Sequence, residues 1–189
     1  MAVNKQRIRV AQMARVYLAP VGTAAPADAT TPLAAAWKEV GYFTPDSLQW
    51  STDPSFEEVR SHQSNYATRR FQTEDNATLQ VDLQEWSADS FKWVYGGGSV
   101  TTIAGTPTQY KFSPPQIGGR QQVAVVVEIV DGAIHHRRVI PCAEQNEGVE
   151  QTFEKGSEST LPLRLAVIGS DLGDAFYDLT DDPAFAPAA

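Results

Sequence analysis

A single cysteine, Cys142, stands among 189 residues, so no disulfide can form within the chain. A cross-linked secreted scaffold is excluded with it. No run approaches the roughly 18 apolar residues that a membrane-spanning helix needs. The opening stretch MAVNKQRIRVAQMARVYLAP has charges but no continuous apolar core, so a signal peptide is not expected. Basic charge is also scarce. Fifteen Lys and Arg stand against 23 Asp and Glu, leaving a formal net charge of −8. A dedicated nucleic-acid binder carries the opposite balance, and an acidic surface keeps a protein off polyanions. The expectation is a soluble chain made in a cytoplasm, with no membrane association.

Catalytic and metal-binding patterns are missing too. His135 and His136 are neighbours on a strand-like segment, so they point to opposite faces and cannot share one ion. His136 and Cys142 share parity, but at about 3.3 Å per residue they lie ~20 Å apart. Gly96-Gly97-Gly98-Ser99 lacks the lysine and following helix of a phosphate loop, and reads as a helix terminator. Glu57-Glu58 and Asp181-Asp182 are carboxylate pairs, yet no apolar surroundings would raise either pKa. There is no G-x-S-x-G or H-E-x-x-H. The chain is therefore expected to be no enzyme and to hold no metal or cofactor.

What remains is patterning. Hydrophobic residues make up 42% and charged residues 20%, ordinary for one folded domain spanning 1–189. Met13 to Leu18 alternates like a strand. Gly22 to Pro32 is a small-residue loop, Leu33 to Trp37 has room for one helical turn, and Val40 to Phe43 resembles a short strand. Asp53-Pro54 breaks an extended segment, and the polar stretch 53–65 reads as a loop or arm. Asp75-Asn76 offers a turn before Leu79, Val81 and Leu83, which alternate with Gln80, Asp82 and Gln84 up to Trp86. Period two puts the apolar set on one sheet face and the polar set on the other. Leu79, Leu83 and Trp86 also fit helical spacing, but the β-branched Thr78 and Val81 favour a strand.

Ser87 or Asp89 can cap a helix over about 88–95, which the three glycines stop. Beyond it the reading is β throughout: a hairpin from Val100 to Phe112, a doubly buried run Val123 to Val130, and an Asp131-Gly132 turn. The return strand extends from Ala133 to Cys142, and a last hairpin joins Val149–Lys155 to Thr160–Ile168. An N-terminal arm (1–12) is basic. The tail 169–189 is acidic and aperiodic, with Phe176, Tyr177 and Phe185 suited to docking on something. About ten strands and one helix predict an all-β, two-sheet sandwich or barrel-like fold with a flanking helix. Arg69-Arg70 and Arg137-Arg138 should each place one side chain on either sheet face, as surface charge or paired with acidic groups across subunits.

In order, Arg15-Val16-Tyr17-Leu18-Ala19-Pro20, the Gly/Ala/Pro loop, Ala36-Trp37-Lys38-Glu39-Val40-Gly41-Tyr42, Glu57-Glu58-Val59-Arg60, Arg69-Arg70, the alternating 79–86 stretch and the helix with its glycines follow one another along the chain. This succession, over roughly Arg15 to Ile168, resembles the major tail tube proteins of long-tailed bacteriophages, especially those of actinobacterial hosts. The resemblance implies a structural virion protein forming hexameric rings that stack into a tube, the conduit for DNA ejection. Its partners would be its own copies, the tape-measure, terminator and baseplate proteins, and passing double-stranded DNA held without specific binding. Asp53, Phe56, Glu57, Glu58, Arg60, Arg69 and Arg70 would then lie at subunit or ring interfaces, with the polar arm ordering on assembly. Gln80, Asp82 and Gln84 would face the lumen or a neighbour. Alternatives are another tail or capsid structural protein (terminator, baseplate or decoration), or a carbohydrate-binding sandwich using Trp37, Trp50, Trp86 and Trp93 as platforms.

Overall fold

The computed structural model describes residues 4–169, 171 and 173–187. Among them are ten strands and one α-helix: β1 (Met13–Pro20), β2 (Lys38–Glu39), β3 (Gln49–Arg60), β4 (Ala67–Leu83), α1 (Ala88–Val94), β5 (Ser99–Ile103), β6 (Gln109–Ser113), β7 (Gln122–Asp131), β8 (Ile134–Gln145), β9 (Leu161–Val167) and β10 (Tyr177–Thr180). The fold is all-β with two sheets. The main sheet runs β2-β1-β7-β8-β9-β4-β3, with β10 added to β8; β5 and β6 form a separate two-stranded ribbon.

The main sheet curls around one core. Val16 and Leu18 of β1, Val125 and Val127 of β7, and Ile140 of β8 meet Leu79, Val81 and Leu83 of β4 and Leu161, Leu163 and Leu165 of β9 in a single apolar cluster. The alternation at 79–83 thus faces the core as expected, with Leu79, Val81 and Leu83 all buried. The curl nearly closes through segment 40–44. Val40 N–H donates to Val16 O (3.0 Å), Thr44 N–H to Asp82 O (2.9 Å), and Gln84 N–H to Tyr42 O (2.9 Å). These bonds satisfy backbone groups that a free edge would leave open.

On the other face of β1 and β7, a smaller cluster of Ala19, Ala124, Val126 and Val139 is covered by Trp37 at the end of the 21–37 loop. Trp37 Nε1–H donates to Ala24 O at 3.1 Å, so the indole buries without an orphaned donor. Trp93 packs against the main core. α1 begins at a capping box in which Ser87 and Ser90 satisfy each other's backbone N–H groups. It ends at Gly96-Gly97-Gly98, all at positive φ. Gly98 has a packing reason besides: a Cβ there would lie 2.5 Å from Ser113 O on β6.

Several expectations are corrected. Asp53-Pro54 does not interrupt the chain, because β3 runs unbroken to Arg60. As the sheet's outermost strand, β3 can place a residue without an N–H where no ladder bond is needed. Asp75-Asn76 is likewise no turn but lies inside the 17-residue β4, opposite Pro54 and Asp53. Only residues 61–66 connect the two strands, so the 53–65 stretch is mostly strand, not loop. Within the chain it pairs with β4 out to Arg60 opposite Ala67, with register shifts at Ser55/Phe56 and Val59/Arg60.

Leu33–Trp37 makes a turn, closed by Trp37 N–H to Ala34 O, not a helix. Pairing with β1 falls on Lys38–Glu39 rather than 40–43, and Phe43 makes one bridge to Leu83. Val149–Lys155 is no strand, and Leu161–Val167 joins β4 and β8 instead of a local hairpin. The Val/Ile run 123–130, the Asp131-Gly132 hairpin and the β5–β6 hairpin form where expected. The C-terminal segment, aperiodic in sequence, supplies β10.

Candidate assembly interface

The β3–β4 hairpin divides into two parts. Its inner end belongs to the barrel, because Thr78 to Leu83 pair with β9. From Ser51 out to Asn76 the ribbon leaves the body. Almost every residue in this stretch is exposed, on both faces. About ten paired positions at ~3.3 Å each give an arm some 33 Å long. That exceeds the ~16 Å radius of gyration of a compact domain of this size, so the tip stands clear of its own subunit.

The register fixes what each face carries. Glu58 lies opposite Arg70 and Phe56 opposite Gln72 on one face; Glu57 lies opposite Phe71 and Val59 opposite Arg69 on the other. Arg69 and Arg70 therefore do point to opposite sides. The Arg70 guanidinium stacks 4.2 Å from the Phe56 ring centroid, and Arg60 Nη2 lies 3.2 Å from Glu58 Oε2. Asp53 pairs with Asn76 at the arm's root. Each face thus combines exposed apolar groups with charges: Phe56 is 43% exposed, Val59 48%, Phe71 41% and Tyr66, next to the turn, 84%. Both ribbon edges are open beyond Thr78. An isolated two-stranded ribbon is marginal in water, and open edges invite pairing with another chain.

Gln80 and Asp82 project from the outer, solvent-facing side of β4 and are part-buried there. Arg164 of β9 covers them: its Nη2 lies 2.6 Å from Asp82 Oδ1, and its Nη1 donates to Val81 O. Gln84 lies past the strand end, donating through Nε2 to Glu158 at 2.8 Å.

Several other charges are used within the chain. Arg138 reaches β10, where its Nε and Nη2 hold Asp178 at 2.8 Å each, and its guanidinium stacks 4.5 Å from Trp50. Burial works against the Asp178 carboxylate, but Arg138, with His136 beside it, outweighs this and keeps its pKa below the usual range. Asp181 accepts from the His135 N–H and ring, and Asp182 from the Ala184 N–H; both pKa values are lowered as a result. Arg9 of the N-terminal arm also binds Asp182. The tail therefore docks, but on its own β8. Arg137 is buried and turns inward under the 21–37 loop, where it meets Glu128. Sequence reading expected both arginines of this doublet at the surface or across a subunit boundary. The missed signal was Glu128, placed opposite Arg137 by the Asp131-Gly132 hairpin.

A cavity of about 1010 Å³ beside the arm's root is floored by Met13, Phe43, Leu48, Trp50 and Ile129. Of its charged groups, Arg15 meets Glu39, Glu85 accepts from the Tyr42 N–H, and Arg138 holds Asp178. Among the described residues no three His, Cys, Asp or Glu side chains gather as a metal site, and no helix is long and apolar enough to cross a membrane. What the described residues present instead is a cored body bearing a long ribbon uncovered on both faces. A family model described as phage tail tube protein matches residues 1–189. The chain belongs to the phage tail tube protein family. No curated protein matches the sequence. The family is structural rather than enzymatic. Membership places this tail tube protein in the virion tail, where copies assemble with one another into a tube.

Proposed function

We propose that six copies of the chain close into a ring, and that stacked rings form the channel through which DNA leaves the capsid of a long-tailed phage of the actinobacterial-host type. The observation that carries this reading is the exposed β3–β4 arm. Asp53, Phe56, Glu57, Glu58, Arg60, Arg69 and Arg70 sit on a ribbon that reaches past its own subunit, and closing a ring or stack supplies the second surface its faces and edges lack. A net charge of −8 suits a wall along which DNA slides without adhering. The β4–β9 outer face, with Gln80 and the charge-neutral Asp82–Arg164 pair, fits such a wall, with Gln84 at its margin. The ring would meet tape-measure, terminator and baseplate proteins at its ends.

The test is excision of the arm. Residues 53–76 are replaced by Asn-Gly, so that Thr52 and Ala77, already paired, are joined by a two-residue turn. The body keeps its β-rich circular dichroism and cooperative melting, and electron microscopy shows no tubes. Normal tubes from the excised chain would overturn the reading.

A further inference from the structure

The β5–β6 ribbon leaves a second surface uncovered. Its register sets Val100 opposite Phe112 and Thr102 opposite Tyr110, all on one face. That face, α1 and Trp86 enclose a cleft of about 520 Å³. Its floor is aromatic: the Phe91 ring meets Trp86 at 5.4 Å and Phe112 at 5.5 Å, and Trp86 meets Phe153 at 6.1 Å. Trp86 Nε1–H is already satisfied by Ser159 O at 2.9 Å, so what the indole still offers is its apolar ring. Trp86 remains 49% exposed, and Tyr110 and Phe153 71% each. Large rings left open together, with no titratable group converging on them, mark a docking surface rather than a reactive one.

We propose that this cleft receives the arm tip of another copy, with Tyr66 as the inserted side chain. The proposal rests on the arm being the element that joins subunits. In an assembly built from one kind of chain by head-to-tail contacts, an exposed patch must be matched by a different patch on the same chain. Tyr66 is the most exposed aromatic of the arm and sits at its end, immediately before β4. Its ring makes no aromatic contact among the described residues. Charge agrees in sign. Segments 85–92 and 150–158, which bring Trp86 and Phe153 to the cleft, carry five carboxylates and two lysines; β6 adds Lys111 and Lys38 binds Asp89, leaving one negative charge in excess. The arm end, 57–70, carries Arg60, Arg69 and Arg70 against Glu57 and Glu58. A basic tip approaching an acidic rim gains in encounter rate and fixes its orientation.

The test uses the full chain. Asn65→Cys on the tip and Thr102→Cys on the cleft are combined, and assembled tubes are treated with a short bismaleimide; the native Cys142 is buried. The double variant gives a covalent ladder of many subunits, while each single variant gives none. In parallel, Tyr66→Asp and Tyr110→Asp each raise the critical concentration for assembly by about tenfold or more, the scale of one buried ring lost, and Tyr66→Phe leaves it unchanged. Both aspartate variants melt like the parent as monomers. Tubes that form without a ladder, or at unchanged concentration in the aspartate variants, overturn the cleft as the receptor while the arm reading stands. Tubes from the arm-excised chain overturn both.

Discussion

Replacing Arg137 by alanine tests how the 21–37 loop is held to the sheet. Arg137 is 4% exposed, and its guanidinium serves three acceptors. Nη1 donates to Asp28 O at 2.8 Å and to Thr31 O at 2.7 Å, while Nε bonds Glu128 Oε1 at 2.7 Å. Asp28 in turn closes the loop on itself by accepting from the Thr31 hydroxyl and from the Thr31 and Thr30 N–H groups. Those bonds hold its pKa far below the usual carboxylate range.

Alanine removes all three bonds and strands Glu128. Breaking a buried ion pair by deleting one partner costs about 3–5 kcal/mol. The Glu128 side chain keeps 17% exposure and can regain some water, which puts the cost near the lower end, about 3 kcal/mol. For a chain of this size that lowers the melting temperature by about 6–12 °C. Arg137→Lys recovers only part, since a point charge cannot span acceptors arranged for a planar fork. Arg137→Met with Glu128→Leu removes both charges and returns at least half the loss. The assay is thermal unfolding of unassembled protein by circular dichroism. An alanine variant within about 1 kcal/mol of the parent, or a double variant as unstable as alanine alone, would refute the clamp.

Two further outcomes are expected. Asp178, Asp181 and Asp182 all have lowered pKa values in the folded chain, so their contribution is complete above the unfolded value of about 3.9 and is lost as pH falls through the folded ones. Amide exchange at β10 should accordingly rise below about pH 4 while the β7–β8 amides stay protected; simultaneous loss of both would contradict a separately held tail. Gly98→Ala forces a Cβ against Ser113 O at a φ of +104°, at a cost of about 1–3 kcal/mol, and should speed exchange in β5 and β6 first. An unchanged melting temperature would show that the ribbon adjusts freely.

Much of the body was legible because local and global preferences agree there. Leu79, Val81 and Leu83 alternate and are buried, Ser87 caps α1, and Asp131-Gly132 turns β7 into β8. Reading failed where solvent, rather than the core, sets the rule. Pro54, Asp75 and Asn76 look like breaks because they suit turns, yet on a ribbon exposed on both faces nothing penalises them, and pairing with the opposite strand decides. The same exposure hid the arm's length: with no buried face there is no alternation to read. β10 was missed for another reason. Its four residues are held by Arg138 and the histidines of β8, contacts about forty residues away that no window around 177–180 contains.

β4 is a single unbroken strand whose outer end lies at the arm tip and whose inner end, Thr78 to Leu83, is bonded to β9 in the heart of the barrel. A pull applied at the tip travels along that strand without passing through any loop. Because antiparallel hydrogen bonds run perpendicular to the strands, the load meets them in shear, and they must yield together rather than unzip one at a time. A load taken up at the arm tip is therefore borne by strands that line the apolar core of the subunit.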